Sequence, residues 1–330
     1  MTTSPEQCPV SKDKLTDKSA RAGLTVALLI GGWSVEREVS LTKGKAVEQA
    51  LMEAGYNVRV IDVQRDLKAL MAALDNPKPD VVFNNLHGRG GEDGVIQAVL
   101  EMLDIPYTHS GVMASAIGMD KIASKLVAQS VGVRCPAYQV LKEGERQDSI
   151  TIPAPYVVKP ANEGSSVGVS IVQQGDNHTG IDPSLWVKGR RIMVEEYIPG
   201  EELTVAVLDG KAQAVTAIRS QTRFFDYDAK YSDTRTTYEL PARIPQAIYD
   251  MAMRWAENVY TALGCGGIAR CDFRFDTARG EDGLYFLEIN TQPGFTAESI
   301  GPSQAIRNGY TFPELCAHLV ETARQGGDKN

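Results

Sequence analysis

The chain has no run of the roughly 18 to 20 apolar residues that a bilayer-spanning helix needs. Its first apolar stretch, residues 24–30, is only long enough for a strand. The residues before it are polar, with Glu6, Asp13 and Asp17 among the lysines. They lack the apolar stretch of a signal peptide and carry more acid than a transit peptide. Residues 1–23 are therefore expected to form a flexible tail on a cytoplasmic protein with no membrane insertion. Cysteine is scarce. The five present, Cys8, Cys135, Cys265, Cys271 and Cys316, are odd in number and form no CxxC, which argues against a disulfide framework or a zinc site. An excess of base is missing too. A net charge of −8 and a pI near 5.2 argue against a nucleic-acid partner, although a local basic pocket can still hold a small anion. Neither GxGxxG nor GxxxxGK[ST] occurs, which disfavours a nicotinamide dehydrogenase and a Walker-type phosphate loop. No internal repeat or low-complexity tract is visible.

What is present is an ordinary globular composition, 43% hydrophobic and 23% charged over 330 residues, enough for two or three compact units. Strand and helix signals alternate over the first hundred residues. Strands are expected at 24–30, 57–63 and 80–84, and helices at 40–54, stopped by Gly55, at 67–74 and at 93–103. This βαβαβ order predicts a parallel doubly wound sheet, with ligands at the carboxyl ends of its strands. Gly31–Gly32 and His87–Gly88 follow such ends. A helix over 120–130 opens the next unit, followed by strands near 156–159, 167–172 and 191–197. The last third reads as strands at 203–208 and 212–218, a helix at 246–263, strands at 267–275 and 284–290, and a helix near 313–324.

The sharpest chemical signal is the strand pair GIARCDFRF and LYFLEIN. Alternation puts Ala269, Cys271, Phe273 and Phe275 on one face and Arg270 and Asp272 on the other, while Glu288 and Asn290 share a face. A hairpin turn over 277–283 would bring Asp272 opposite Glu288. Two carboxylates and an amide oxygen suit Mg²⁺; a solvated sheet face with an Arg–carboxylate pair is the alternative. Small residues in KPANEGSSVG let backbone N–H groups approach a phosphate, with Lys159 at the strand end and Ser165 and Ser166 as donors, although a Gly/Ser hairpin without function has the same composition. Glu195, Glu196, Glu201 and Glu202 surround Pro199–Gly200, where a carboxylate can accept from ribose or simply be solvated. In GGWSVEREVS a glycine turn enters a helix whose N-terminus favours a substrate carboxylate, and Glu36 can hold an ammonium or act as a helix cap. His87, at a strand end among glycines, reads equally as structural or functional.

In order and spacing, GGWSVEREVSL, NLHGRGGEDGVIQ, PYTHSGVMASAIGMDKIASK, VVKPANEGSSVGVS, VEEYIPGEELTVAVL, FFDYDAKYSD, ARCDFRF and LEINTQPGFTAESI resemble the D-alanine–D-alanine ligases of the ATP-grasp class, over about residues 24–319. The resemblance implies an α/β chain, α+β in its ATP-binding part. It divides into an N-terminal substrate-binding α/β domain (24–109), a central ATP-grasp subdomain (110–195) and a C-terminal one (196–330) carrying the metal site and a lid loop over 222–233. The last two clasp ATP. It carries over Lys121, Lys159 and Lys230 as phosphate contacts, Ser165 and Ser166 in the loop over the phosphates, Glu195 and the backbone of Glu196–Ile198 at adenine, and Glu202 at ribose. Asp272, Glu288 and Asn290 would hold two Mg²⁺ or Mn²⁺. Glu36 would bind the first D-alanine's ammonium, with His87 also at the substrate. Arg270 and the Gly294 amide would stabilise the oxyanion, and Ser299 and Ile300 would receive the second D-alanine's carboxylate. Tyr231 goes with dipeptide formation; its phenol can hydrogen-bond to Ser165 or Ser166 and so link the lid, the phosphate loop and Glu36. The implied activity is ATP-dependent ligation of two D-alanines through an acyl phosphate, releasing ADP and phosphate, for peptidoglycan precursor synthesis. D-lactate or D-serine as acceptor and a non-catalytic ATP-binding module are the alternatives, and a homodimer is left open. The chain departs from the family's usual residues at Trp33, His109 (commonly glycine) and Phe225.

Overall fold

The computed structural model describes residues 21–141, 145, 149–164, 168–176, 180–181, 191–220 and 236–323. Ser165, Ser166, Lys230, Tyr231, Phe225, the lid at 222–233 and most of the tail lie outside the described residues.

The first sheet joins β1 (Thr25–Gly31), β2 (Asn57–Val63) and β3 (Val81–Asn84) in the order β2-β1-β3, all parallel. Val26 to Leu29 are all fully buried, as expected of a central parallel strand covered on both faces. Helix α1 (Arg37–Ala54) ends where Gly55 takes a left-handed φ of 103°, a conformation glycine adopts without steric cost. It begins at Arg37 rather than near residue 40. Helices α2 (Leu67–Asp75) and α3 (Val95–Met102) complete the alternation. Two helices in tandem follow, α4 (Val112–Met119) and α5 (Lys121–Ser130). Asp120 caps α5, accepting from the N–H groups of Ile122 and Ala123 at 3.0 and 3.1 Å.

Two antiparallel sheets make up the rest. One joins β4 (Tyr138–Leu141), β5 (Tyr156–Pro160), β6 (Ser170–Val172) and β7 (Ile192–Glu196) in the order β4-β7-β5-β6. The other joins β8 (Glu201–Leu208), β9 (Lys211–Ser220), β10 (Thr236–Glu239), β11 (Ile268–Phe275) and β12 (Leu284–Asn290) in the order β10-β9-β8-β11-β12. Helix α6 (Gln246–Leu263) covers the apolar face of this second sheet. Its Ala252, Ala256 and Val259 pack in one core with Ala269, Cys271, Phe273 and Phe275, the face that alternation set opposite Arg270 and Asp272. Helices α7 (Ile300–Arg307) and α8 (Phe312–Glu321) close the chain. Leu315 and Leu319 of α8 join Val26, Leu28 and Val47 of the N-terminal unit in a shared core, so the first and last parts of the chain are packed together. Among the described residues no helix is long and apolar enough to cross a membrane.

His109 stands at φ 73°, a left-handed position that favours glycine. In return its ring meets Phe83 and Phe295 edge-on, with centroids 5.7 and 5.9 Å apart. Burial pushes its imidazole down to about 4, so it sits as a neutral ring between the parallel sheet and the segment after β12.

Candidate active site

The register of β11 and β12 sets the site. Asp272 lies directly opposite Glu288, and Arg270 opposite Asn290. All four side chains face a cavity of about 330 Å³, within the usual size range of small-ligand pockets. Arg270 forks onto Asp272 through Nε and Nη2, both at 2.8 Å, and the Thr204 hydroxyl donates to the same carboxylate at 2.6 Å. Glu288 pairs with Lys121 Nζ at 3.1 Å, and Lys121 also donates to the Glu163 carbonyl at 2.7 Å. The lysine therefore ties the start of α5 to the loop after β5 and to the acidic strand. Among the described residues no three His, Cys, Asp or Glu side chains are grouped to hold a metal. Two carboxylates and the Asn290 oxygen nevertheless fit Mg²⁺, which takes one or two carboxylates and fills its shell from water and phosphate.

The opposite wall comes from the N-terminal unit. Gly88 has φ 69°, and a Cβ there would stand 2.5 Å from Glu36 Oε2, so a glycine is needed for the carboxylate to lie against this turn. The Gly88 N–H donates to Glu92 Oε1 at 2.8 Å. Burial and then the neighbouring Glu36 push the Glu92 carboxyl up to about 8, so it keeps a proton at pH 7. His87 lines the same wall. Burial, with the Lys43 ammonium nearby, pushes it down to about 3. It is neutral, and its Nε2 has no hydrogen-bond partner among the described residues. Gly294, Ser299, Ile300 and Glu202 also line the cavity.

Eleven of the residues expected from the sequence thus meet in one cavity: Glu36, His87, Lys121, Glu202, Arg270, Asp272, Glu288, Asn290, Gly294, Ser299 and Ile300. Four others do not line it. Lys159 and Glu195 are buried and joined at 2.6 Å, and Lys125 reaches the other Glu195 oxygen at 2.6 Å. The Glu196 N–H is used by the Ala137 carbonyl at 2.8 Å, while the Ile198 carbonyl accepts from Arg274 at 3.0 Å.

Three groups escaped the sequence reading. Glu92 sat within LHGRGGEDG, where only the histidine was singled out. Lys125 follows Lys121 by one helical turn. Lys43 lies seven residues after Glu36, the residue that precedes α1, a spacing of about two helical turns.

The buried triad gives a testable stability effect. Burial alone would raise the Glu195 carboxyl, but Lys125 and Lys159 hold it below its ordinary 4.5. Its contribution is present above about pH 4.5 and is lost as pH falls through the lower folded value. Glu195→Gln leaves two buried ammoniums without their counter-ion and is expected to cost about 3 kcal/mol in urea unfolding at pH 7, with a flatter acid limb below pH 4.5. Unchanged stability would show that the triad is neutral to folding.

The chain is similar to known proteins over most of its length. Residues 127–321 match the family model described as D-ala D-ala ligase C-terminus, and residues 68–110 match D-ala D-ala ligase N-terminus. The chain is 49% identical over 298 residues to the D-alanine–D-alanine ligase of Acidiphilium cryptum, covering 90% of this chain and 98% of that protein. The crystal structure of the Bacillus anthracis D-alanine–D-alanine ligase superposes with a TM-score of 0.79 at 32% identity, over 91% of this chain and 97% of that one. Its ATP complex gives 0.75 at 30%, with the same coverage. The VanG D-Ala:D-Ser ligase of Enterococcus faecalis gives 0.76 at 26%, over 91% and 99%.

Proposed function

Because the chain belongs to the D-alanine–D-alanine ligase family, we propose that it joins two D-alanines at this cavity, using ATP and releasing ADP, phosphate and D-alanyl-D-alanine. The observation that carries the reading is the facing of two walls: Arg270, Asp272, Glu288 and Asn290 on one strand pair, with Glu36 and Glu92 across from them. A free carboxylate cannot expel oxide. Its oxygen therefore attacks the γ-phosphorus of ATP, the bond to the β-phosphate oxygen breaks, and an acyl phosphate and ADP form. The second amine then attacks the acyl carbon, the C–O bond to phosphate breaks, and one amine proton is released.

Within this reading, Glu36 holds the first ammonium with His87 beside it. Arg270 and the Gly294 N–H meet the developing oxyanion, where fixed donors act most strongly. Ser299 and Ile300 receive the second carboxylate. Lys121, Lys159 and Lys230 neutralise the phosphates under Ser165 and Ser166, the segment Glu195–Ile198 takes adenine, and Glu202 the ribose. Tyr231 links the lid to Glu36. Asp272, Glu288 and Asn290 would hold two Mg²⁺ or Mn²⁺, whose chemistry is to offset charge on the transferring phosphoryl oxygens. The domain division at 24–109, 110–195 and 196–330, a cytoplasmic setting and a homodimer belong to the same proposal.

The test is ADP release with D-alanine, L-alanine, and D-alanine supplemented by D-lactate or D-serine, with mass spectrometry of the products. D-alanine alone should suffice and give the dipeptide. ADP formation indifferent to D-alanine, or AMP with pyrophosphate, would exclude the reading.

A further inference from the structure

Lys43 is a cation of the cavity that has no part in the scheme above. Lys43 lies on the second turn of α1 and lines the cavity. Two features of α1 put it there. Ser40 anchors the helix, accepting from the Gly31 N–H at 2.9 Å and donating to the Asn85 carbonyl at 2.6 Å. Gly44 lets the helix press onto β1, since a Cβ at that position would stand 2.5 Å from Ile30 Cγ2. The lysine chain therefore runs across the floor of the cavity towards the segment after β12. A Cβ built on Gly294 would overlap Lys43 Nζ and lie 3.8 Å from Ser299 Oγ. The ammonium, Gly294 and Ser299 thus share one corner, at the start of α7. There the Ser299 side chain does not cap its helix. It instead accepts from the Thr296 N–H at 3.1 Å.

We propose that Lys43 is the cation that receives the carboxylate of the second, acceptor substrate, held in the corner formed by Gly294 and Ser299. The assignment rests on the ligase reading, and its physical basis is charge. Two amino-acid zwitterions bring two carboxylates into a cavity that must exclude water. The first carboxylate is consumed in the reaction, with Arg270 beside it. The second survives into the product, so a lasting counter-charge is needed. The Ser299 hydroxyl and the Ile300 N–H supply hydrogen bonds but no net charge, and hydrogen bonds from a cation are roughly twice as strong. Burial and the nearby Arg270 push Lys43 down to about 8, against the pull of Glu36. A carboxylate placed at Nζ offsets both, so the substrate compensates the lysine as much as the lysine holds the substrate.

The test is a competition between two acceptors. D-alaninamide has the amine but not the carboxylate, so it can take the acyl group but cannot be activated. Wild-type protein, Lys43→Met and Lys43→Arg are each given ATP, D-alanine and D-alaninamide. The ratio of D-alanyl-D-alanine to D-alanyl-D-alaninamide is read by mass spectrometry. This ratio is independent of how much enzyme is folded and of how fast the acyl phosphate forms. Lys43→Met is expected to lower the preference for D-alanine by at least about tenfold, and Lys43→Arg to keep it within about threefold. If the methionine variant yields no folded protein, Lys43→Gln gives the same reading. A neutral variant that retains the wild-type ratio, whatever its total rate, would overturn the assignment and leave Lys43 as a structural or phosphate-facing charge. Wild-type protein that makes neither product would overturn the ligase reading itself, and this assignment with it.

Discussion

Arg270→Met is expected to lower kcat by on the order of a thousandfold. The guanidinium is fixed by its two 2.8 Å bonds to Asp272, so it enters the reaction already oriented and needs no reorganisation as charge builds on the acyl oxygen. Removing it takes away a charged donor fixed in the cavity. It also strips Asp272 of its cation, while the Thr204 hydroxyl stays bonded to that carboxylate at 2.6 Å. Arg270→Lys separates these losses. It keeps a positive charge but cannot fork onto the carboxylate, and should recover about tenfold of the missing rate. Steady-state rates with saturating ATP and D-alanine decide the matter. Near-normal turnover of the methionine variant would remove Arg270 from the chemistry.

Glu288→Gln should be the second most damaging change. Glu288 is central on β12, opposite Asp272 and 3.1 Å from Lys121. Its loss would remove a proposed metal ligand and the carboxylate partner of Lys121 together. Turnover is expected to fall by about a hundredfold or more, several kcal/mol of charge stabilisation being the usual share of a metal site, and the Mg²⁺ concentration for half-maximal rate should rise. Asn290→Asp keeps an oxygen donor at its position and should cost much less. A Mg²⁺ titration of the three proteins distinguishes these outcomes, and near-normal activity of the glutamine variant at low Mg²⁺ would contradict the assignment.

What the sequence made legible follows from how local the controlling physics is. Strand β2, helix α6 and strand β12 occupy the residues that the hydrophobic period assigned to them. The facing of Asp272 and Glu288 could be read because a strand alternates strictly and a short turn fixes the partner. Strands β4 and β10 escaped because four residues carry little period, and TTYE is polar throughout. Helix α4 (VMASAIGM) is nearly apolar all round, so it shows no stripe to detect. Helix α7 begins Ile-Gly-Pro, a sequence that looks like a loop until the proline is seen in the first turn, where its missing N–H is not needed.

The lysines are the instructive failures. Lysine is mostly solvent-exposed, so Lys43 and Lys125 read as surface charges within helices. Only the packing of α1 on β1 and of α5 against β12 turns them inward, and that packing is tertiary. His109 is similar. Its left-handed backbone and its place between Phe83 and Phe295 depend on contacts between distant parts of the chain, invisible to any local pattern.

The most direct test of the central claim, that this cavity activates a carboxylate by phosphorylating it, follows the oxygen atoms. D-alanine labelled with ¹⁸O in both carboxylate oxygens is turned over with unlabelled ATP, and the inorganic phosphate is analysed by mass spectrometry. The acyl-phosphate route requires one ¹⁸O in each phosphate released, because the carboxylate oxygen that attacks phosphorus leaves with it. Unlabelled phosphate formed alongside the dipeptide, or label found in AMP, would contradict it.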